Sequence, residues 1–444
     1  MTVQATPVRG DDARQLGPLS AGFLVASNMI GSGVFLLPAT LAAIGSISLF
    51  GWLITTVGAL ALALVFAGLA QARPHAPGLA GYVRDGLGDF VGFVSAIFYW
   101  VTAWTGNVAI ALAVTGYLAH FLPGVQSGWP AAWATVGVIL LFTALNLVGA
   151  KAVARFSGLT TIVGLLPLAV VGIAGWWWFD SGLWREAWNL TGKPPAEAVQ
   201  ASFAQIFWAF LGVESAAVAA AVVRNPARNV PLATVGGVLV AAAVYISACT
   251  AIMGLIPAAE LAKSSAPFAD AVMRILGPAF AGLVAVCALL KTSGTLNGWV
   301  LVTAETAESS AEAGLFPGFF ARGGRAAAPR RNLLIAAGLM SAVTLGTVAP
   351  HIGEQFKTVI NIAVVLSLFV FAFASVALIL LARKFPPGRA VFFVLASLVG
   401  LGFCAWVIAQ SDAKTWSFVA LTAAIAAGLY AARLVSRSRS PVGD

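Results

Sequence analysis

Apolar runs of about 20 residues, the length that carries a helix across hydrocarbon, recur along the chain. They fall at 18–41, 47–70, 91–121, 131–149, 156–178, 200–221, 231–255, 276–304, 333–349, 358–382, 390–410 and 415–435. Backbone groups in a bilayer must be hydrogen-bonded within the segment, so each run reads as a helix. The pattern predicts an all-α integral membrane protein with 12 transmembrane helices. It divides the chain into a tail at 1–17, a ten-helix core at 18–382, two further helices at 383–435 and a second tail at 436–444.

The first run is interrupted. Residues 28–38 read Asn-Met-Ile-Gly-Ser-Gly-Val-Phe-Leu-Leu-Pro. Gly31 and Gly33 each weaken a helix by about 1 kcal/mol relative to Ala, and Pro38 lacks a backbone donor. Small residues also serve close helix packing, but three in a row before a proline point to unwinding. Non-helical backbone at membrane depth is tolerated where it lines protein or a wet cavity. N–H groups freed at the start of a second half-helix attract anions.

The sixth run is interrupted in the same way, at Phe-Trp-Ala-Phe-Leu-Gly-Val-Glu-Ser over 207–215. Five spans separate the breaks, so they enter the membrane from opposite sides. That is the pattern of two inverted five-helix repeats with broken helices 1 and 6, leaving the last two helices outside the repeat. Paired broken helices suit a zwitterion, with the positive helix ends facing a carboxylate and unwound carbonyls facing an ammonium.

Composition agrees with a membrane protein and removes other classes. The 444 residues are 60% hydrophobic and 9% charged, against about 25% charged in soluble domains. The net charge of +9 does not form a nucleic-acid patch, since the basic residues lie between the apolar runs. Most of the 25 Lys and Arg residues fall in alternate loops, among them Arg73, Arg84, Lys151, Arg224, Arg330 and Arg389. The positive-inside rule then places both termini in the cytoplasm. Cys249, Cys287 and Cys404 sit in apolar runs without C-x-x-C spacing, and His75, His120 and His351 form no cluster. No metal site, cofactor or disulfide is expected. Nor does any Ser/Lys pair or nucleotide loop suggest an enzyme.

Polar and aromatic residues inside the runs are the candidate chemistry. Glu214 is a mid-span carboxylate, and such groups are expensive in a membrane and functional by default. Apart from Arg433 at the cytoplasmic end of the last run, Lys291 is the one basic residue inside a run; it could pair with Glu214 or stand in for a coupling cation. Lys291, Thr295 and Trp299 share one helix face by their spacing of four. Trp208 and Trp299 lie too deep for an interfacial belt, and Asn107, two turns from Tyr99, is costly in lipid unless bonded. Asn361 is a polar residue near the start of the tenth run.

These residues carry a resemblance. Gly-Ser-Gly-Val-Phe-Leu-Leu-Pro at 31–38 resembles the unwound segment of the amino acid–polyamine–organocation superfamily. Leu-Gly-Val-Glu-Ser-Ala at 211–216 and Arg-Asn-Pro-Ala-Arg-Asn-Val-Pro at 224–231 resemble its basic amino acid/polyamine antiporters. Tyr-Trp at 99–100, Trp-Thr-Gly-Asn-Val-Ala at 104–109 and Gly-Leu-Phe-Pro at 314–317 extend the likeness over nearly the whole chain.

The resemblance implies a multi-pass transporter of the bacterial inner membrane, often a homodimer in lipid. Its substrates are small amino acids and amines, with an extracellular arginine-like amino acid exchanged for an intracellular agmatine-like amine. It implies that Ser32 and Gly33 bind the substrate carboxylate and that the carbonyls of Met29, Trp208 and Leu211 take the α-ammonium. Asn107 and Trp299 meet the substrate side chain, with Ile110 along its aliphatic part and Asn361 further along the site. Tyr99, Trp208, Trp299 and Glu214 match gating positions; Glu214 and Lys291 are expected to be proton-linked from their placement inside apolar runs, not from the resemblance. Thr102 and Ala103 depart from the family pattern, as do the tenth span and Lys291. They leave open a second reading, a proton-coupled symporter of neutral amino acids with Lys291 in place of a coupling cation.

Overall fold

A computed structural model describes residues 17–31, 33–73, 76, 78–148, 160, 163–215, 225–321 and 329–439. Among these residues all regular structure is helical. Eight helices are long and apolar enough to cross a membrane. In chain order with their neighbours, the first elements are α1 (Pro18–Met29), α2 (Leu37–Ala42), α3 (Ser48–Ala72), α4 (Gly78–Leu87), α5 (Asp89–Ala119) and α6 (Gly128–Val148). The shorter apolar helix α7 (Leu166–Trp178) follows, then α8 (Ser181–Glu186), α9 (Pro195–Gln200), α10 (Phe203–Trp208) and α11 (Pro226–Met253). The rest are α12 (Ala258–Leu261), α13 (Pro267–Leu276), α14 (Pro278–Glu312), α15 (Arg330–Gly346), α16 (Ile352–Leu381), α17 (Pro387–Ala409) and α18 (Ala413–Arg439).

The long apolar helices α3, α5, α6, α11, α14, α16, α17 and α18 coincide with eight of the twelve apolar runs. The other four runs are not single long helices. The first is split into α1 and α2, and the sixth holds only α10 before its backbone leaves the helix. The fifth is described from 163 onward and carries α7, interrupted by a π turn at Val170–Ala174. The ninth is α15, 17 residues long.

Burial ranks the helices from centre to edge. The apolar window of α5 is 94% buried, against 33% for α17 and 17% for α18. Helix α5 therefore forms the axis of the molecule, packed by α4, α14 and α16, while α1 lies along α11. Glycines permit the closest approaches. A Cβ on Gly58 would lie 2.4 Å from the Phe403 ring, and one on Gly86 would lie 2.5 Å from the Ala377 Cβ. A Cβ on Gly116 of α5 would lie 2.5 Å from the Ser265 carbonyl oxygen, so only glycine lets the segment before α13 rest on α5. Gly116→Ala is expected to cost about 1–3 kcal/mol through overpacking. The measurement is a lowered melting temperature of the purified protein; an unchanged melt would mean that the Ser265 segment yields freely.

Candidate functional site

The backbone leaves the first helix after Met29 and does not resume until Leu37. Ser32, expected to bind a carboxylate, lies outside the described residues. The Met29 carbonyl accepts the Gly31 N–H and the Tyr245 hydroxyl, both at 2.6 Å. That occupies the oxygen expected to meet an ammonium. Gly33, Val34 and Phe35 lend no N–H to a backbone acceptor among the described residues. Helix α2 has six residues and begins four positions after Gly33, so the Gly33 and Val34 N–H groups, which meet no backbone acceptor among the described residues, more than a helix dipole, are what an anion would meet. Pro38 sits in the first turn of α2, where a missing donor is harmless; it starts the second half-helix and does not cause the break. Phe35 is fixed by Tyr117, whose hydroxyl donates to its carbonyl at 3.1 Å. Its ring also lies edge-on to Tyr117, with centroids 5.7 Å apart.

The sixth run leaves the helix after Trp208. Gly212 has φ +104°, in the left-handed region that glycine reaches without strain, and Val213–Ser215 form one 3₁₀ turn. This fold-back secures Glu214 at both oxygens. Its Oε2 accepts the Gly212 N–H at 3.0 Å and its Oε1 accepts the Tyr99 hydroxyl at 2.9 Å. The Trp208 indole lies between two glycines. A Cβ on Gly33 would be 3.1 Å from its Nε1, and a Cβ on Gly106 would be 3.3 Å from the far edge of the ring.

Both breaks open on one cavity. From the first it is lined by Met29, Gly31 and Gly33, and from the second by Trp208, Leu211 and Glu214. Helix α5 adds Tyr99, Thr102, Ala103, Gly106, Asn107 and Ile110; α14 adds Thr295 and Trp299; α16 adds Ser367 and Phe371. The cavity thus brings together Met29, Gly33, Tyr99, Asn107, Ile110, Trp208, Leu211, Glu214 and Trp299 from the residues singled out in the sequence.

Two of the expected residues stand apart from the lining. Lys291 is 3% exposed, one turn along α14 from Thr295, and its stem runs across Gly164. A Cβ there would lie 2.2 Å from the Lys291 Cβ. Lys291 forms no ion pair with Glu214 or any other described residue. Asn361 lies six residues before Ser367 on α16, about 9 Å along the axis, so the cavity meets the helix beyond it. Conversely, Gly31, Gly106, Ser367 and Phe371 line the cavity without having been expected. The glycines were read only as breaks or spacers. Ser367 and Phe371 lie in an apolar run whose faces have little contrast to read.

Acceptors dominate the polar lining. The hydroxyls of Thr295 and Ser367 donate to the carbonyls of Lys291 and Val364 at 2.9 and 2.7 Å, leaving their oxygens as acceptors. Asn107 donates its Nδ2 to Thr303 at 3.0 Å, and its buried Oδ1 has no partner. Glu214 is the only lining side chain with a charge among the described residues. Two indoles supply flat faces, and the Leu211 carbonyl accepts no backbone bond from the described residues. Such a surface selects a cation with an apolar stem.

A family model for amino acid permeases matches residues 16–431. The chain is 32% identical to the putrescine transporter PotE of Escherichia coli K12, over 94% of this chain and 96% of that protein. It is 33% identical to the putrescine transporter PotE of Haemophilus influenzae, over 87% and 90%. It is 34% identical to the cadaverine/lysine antiporter of Escherichia coli K12, over 88% and 89%. The chain belongs to the amino acid permeases of the amino acid–polyamine–organocation superfamily and, within them, to the basic amino acid/polyamine antiporter family. It is therefore a multi-pass membrane transporter and not an enzyme.

Gly33 touches both the cavity and the Trp208 indole, so a side chain there fills the site and displaces the ring. Gly33→Val is expected to abolish uptake while the protein still inserts and purifies. Wild-type uptake at equal expression would remove the site from the first break.

Proposed function

We propose that the protein is a secondary antiporter exchanging an amino acid with a cationic side chain for its decarboxylated amine, by alternating access at this cavity. The supporting observation is the single charged lining side chain, Glu214, set among acceptors and two indoles. Aromatic faces add about 1–2 kcal/mol to the binding of a desolvated cation. The Gly33 and Val34 N–H groups, without a backbone acceptor among the described residues, supply the site for a carboxylate, and the Leu211 carbonyl the site for an α-ammonium; the Trp208 carbonyl already accepts the Leu211 N–H at 3.2 Å. Met29 contributes through its side of the cavity wall, its carbonyl being already bonded.

Arginine and agmatine are the pair the sequence motifs favour. The names of two relatives, one a putrescine transporter and one a cadaverine/lysine antiporter, belong to the same chemistry of basic amino acids and their amines. The proposal includes the wider frame of the sequence reading. It comprises twelve spans over 18–435, inverted repeats broken at helices 1 and 6, cytoplasmic termini, a bacterial inner membrane and a homodimer.

Proton-coupled symport of neutral amino acids is the competing reading, motivated by Lys291. The placement of Lys291 behind the lining, against Gly164, weighs against its acting on the substrate side chain.

Counterflow in proteoliposomes separates the two. Vesicles loaded with agmatine, cadaverine or putrescine should take up labelled arginine or lysine, and empty vesicles should not. Proton-driven uptake of neutral amino acids into empty vesicles would establish the symporter. Within the antiporter, Glu214→Gln should weaken inhibition by every cationic substrate by about tenfold or more, as removal of a charged hydrogen-bond partner does. Trp299→Leu should weaken it about 10-fold, or about 1.4 kcal/mol. Unchanged inhibition constants for Trp299→Leu would leave that indole a packing role only.

A further inference from the structure

The cavity contains one polar group that the proposed binding scheme leaves without a task. The Trp208 side chain is 7% exposed and its indole Nε1 has no hydrogen-bond partner. An indole N–H is a donor only, and a buried donor without an acceptor is destabilising, so native proteins rarely keep one idle. The ring is held firmly in its orientation. Its benzo edge rests over Gly106 of α5, with 3.3 and 3.4 Å to the point a Cβ would take, and Phe356 meets it edge-on at 6.2 Å. The Nε1 end is thereby fixed against Gly33, 3.1 Å from the corresponding point there. Gly33 and Trp208 both line the cavity, and the Gly33 N–H meets no backbone acceptor among the described residues. The unpartnered indole Nε1 from one break and the Gly33 backbone from the other therefore meet at one contact in the cavity lining. The other polar side-chain atoms of the lining include acceptors, Asn107 Oδ1 and the Glu214 carboxylate.

We infer that the Trp208 indole N–H is the side-chain donor for the substrate carboxylate, and that it sets how strongly the site prefers an amino acid over its decarboxylated amine. The inference deepens the proposed exchange and rests on it. An amino acid presents a carboxylate to this contact and its ammonium or guanidinium to the acceptors. A decarboxylated amine meets the acceptors alike but has nothing to offer the indole N–H. Trp208 therefore distinguishes the two members of the exchanged pair, whereas Glu214 serves both. The charge-assisted bond is shared with the backbone of residue 33, so loss of the indole donor weakens carboxylate binding without abolishing it.

The test measures inhibition constants for three ligands that differ only at the carboxyl end: lysine, lysine methyl ester and cadaverine, with arginine, arginine methyl ester and agmatine as a parallel set. Trp208→Phe removes the N–H together with part of the ring. Replacement of Trp208 by benzothienylalanine keeps the bicyclic shape and removes only the donor, and gel filtration confirms that each variant is folded. The ratio of amino acid to amine affinity should fall about tenfold or more in both variants, and the ratio of ester to amine affinity should stay as in the wild type. A parallel loss for all three ligands, or no change in the ratio, would overturn the inference and leave Trp208 as a packing surface. A wild-type protein that exchanges neither amino acids nor amines would overturn the functional reading and this inference with it.

Discussion

Backbone polar groups released inside hydrocarbon must be met by protein or by a wet cavity, and this requirement organises the centre of the molecule. Each break is secured by side chains from neighbouring helices. Tyr245 of α11 donates to the Met29 carbonyl, and Tyr117 of α5 donates to the Phe35 carbonyl, so both ends of the first coil are anchored. At the second break Glu214 accepts from Gly212 two residues back and from Tyr99 of α5. Among the described residues, the Gly33 N–H and the Leu211 carbonyl have no backbone partner, Trp208 Nε1 and Asn107 Oδ1 have no partner, and all four residues border the cavity. The binding surface is the unsatisfied remainder of two interrupted helices.

The two buried charges are kept apart. Glu214 faces the cavity with both oxygens engaged, whereas Lys291 lies behind Thr295 with its stem in the groove that Gly164 leaves open. Gly294 makes the same contact in the reverse sense, since a Cβ there would meet the Thr160 hydroxyl oxygen at 1.8 Å. Glycines thus alternate where α14 meets Thr160 and Gly164, one making room for a lysine stem and the other for a threonine. An ammonium group behind the wall leaves the cavity itself to the carboxylate, and a cationic substrate is repelled less than it would be by a lysine in the lining. The argument depends on separation: Coulomb energies fall with distance and with any water between the charges.

Much of this was legible in the sequence, for reasons specific to each residue. Gly31, Gly33, Gly212 and Glu214 stand out because glycine and a carboxylate are conspicuous in an apolar run, and the structure places a break at each cluster. Asn107 and the deep tryptophans are legible because lipid penalises them unless they have a partner. Lys291 misled because a spacing of four puts residues on one helix face without saying how far a cavity extends along it. Thr295 and Trp299 border the cavity, and one turn further on the face meets Gly164. Ser367 and Phe371 were hidden because α16 has a mean hydropathy of 2.9 in its apolar window and offers little contrast between faces. Helix counting from hydropathy also joined into single spans what the backbone divides. The first run becomes two short helices, and the long continuous helices number eight among the described residues.

Helix α5 is the element through which the two breaks communicate. It carries Tyr117 to the first break, Tyr99 to the second, and Gly106 beneath the indole that reaches from one to the other. Three anchor points on a helix whose window is 94% buried make it the least free to move of the elements around the cavity. Opening the site toward the second break requires parting Tyr99 from Glu214. Opening it toward the first requires lifting the Trp208 indole from Gly33. The two contacts share α5 as their base, and Trp208 and Glu214 sit on one short segment that includes Gly212. A shift of that segment relieving one contact bears directly on the other, because only five residues separate the indole from the carboxylate. The proposed alternating access at this cavity would accordingly need no distant relay, since the contacts at both breaks belong to a few residues of non-helical backbone packed against one helix.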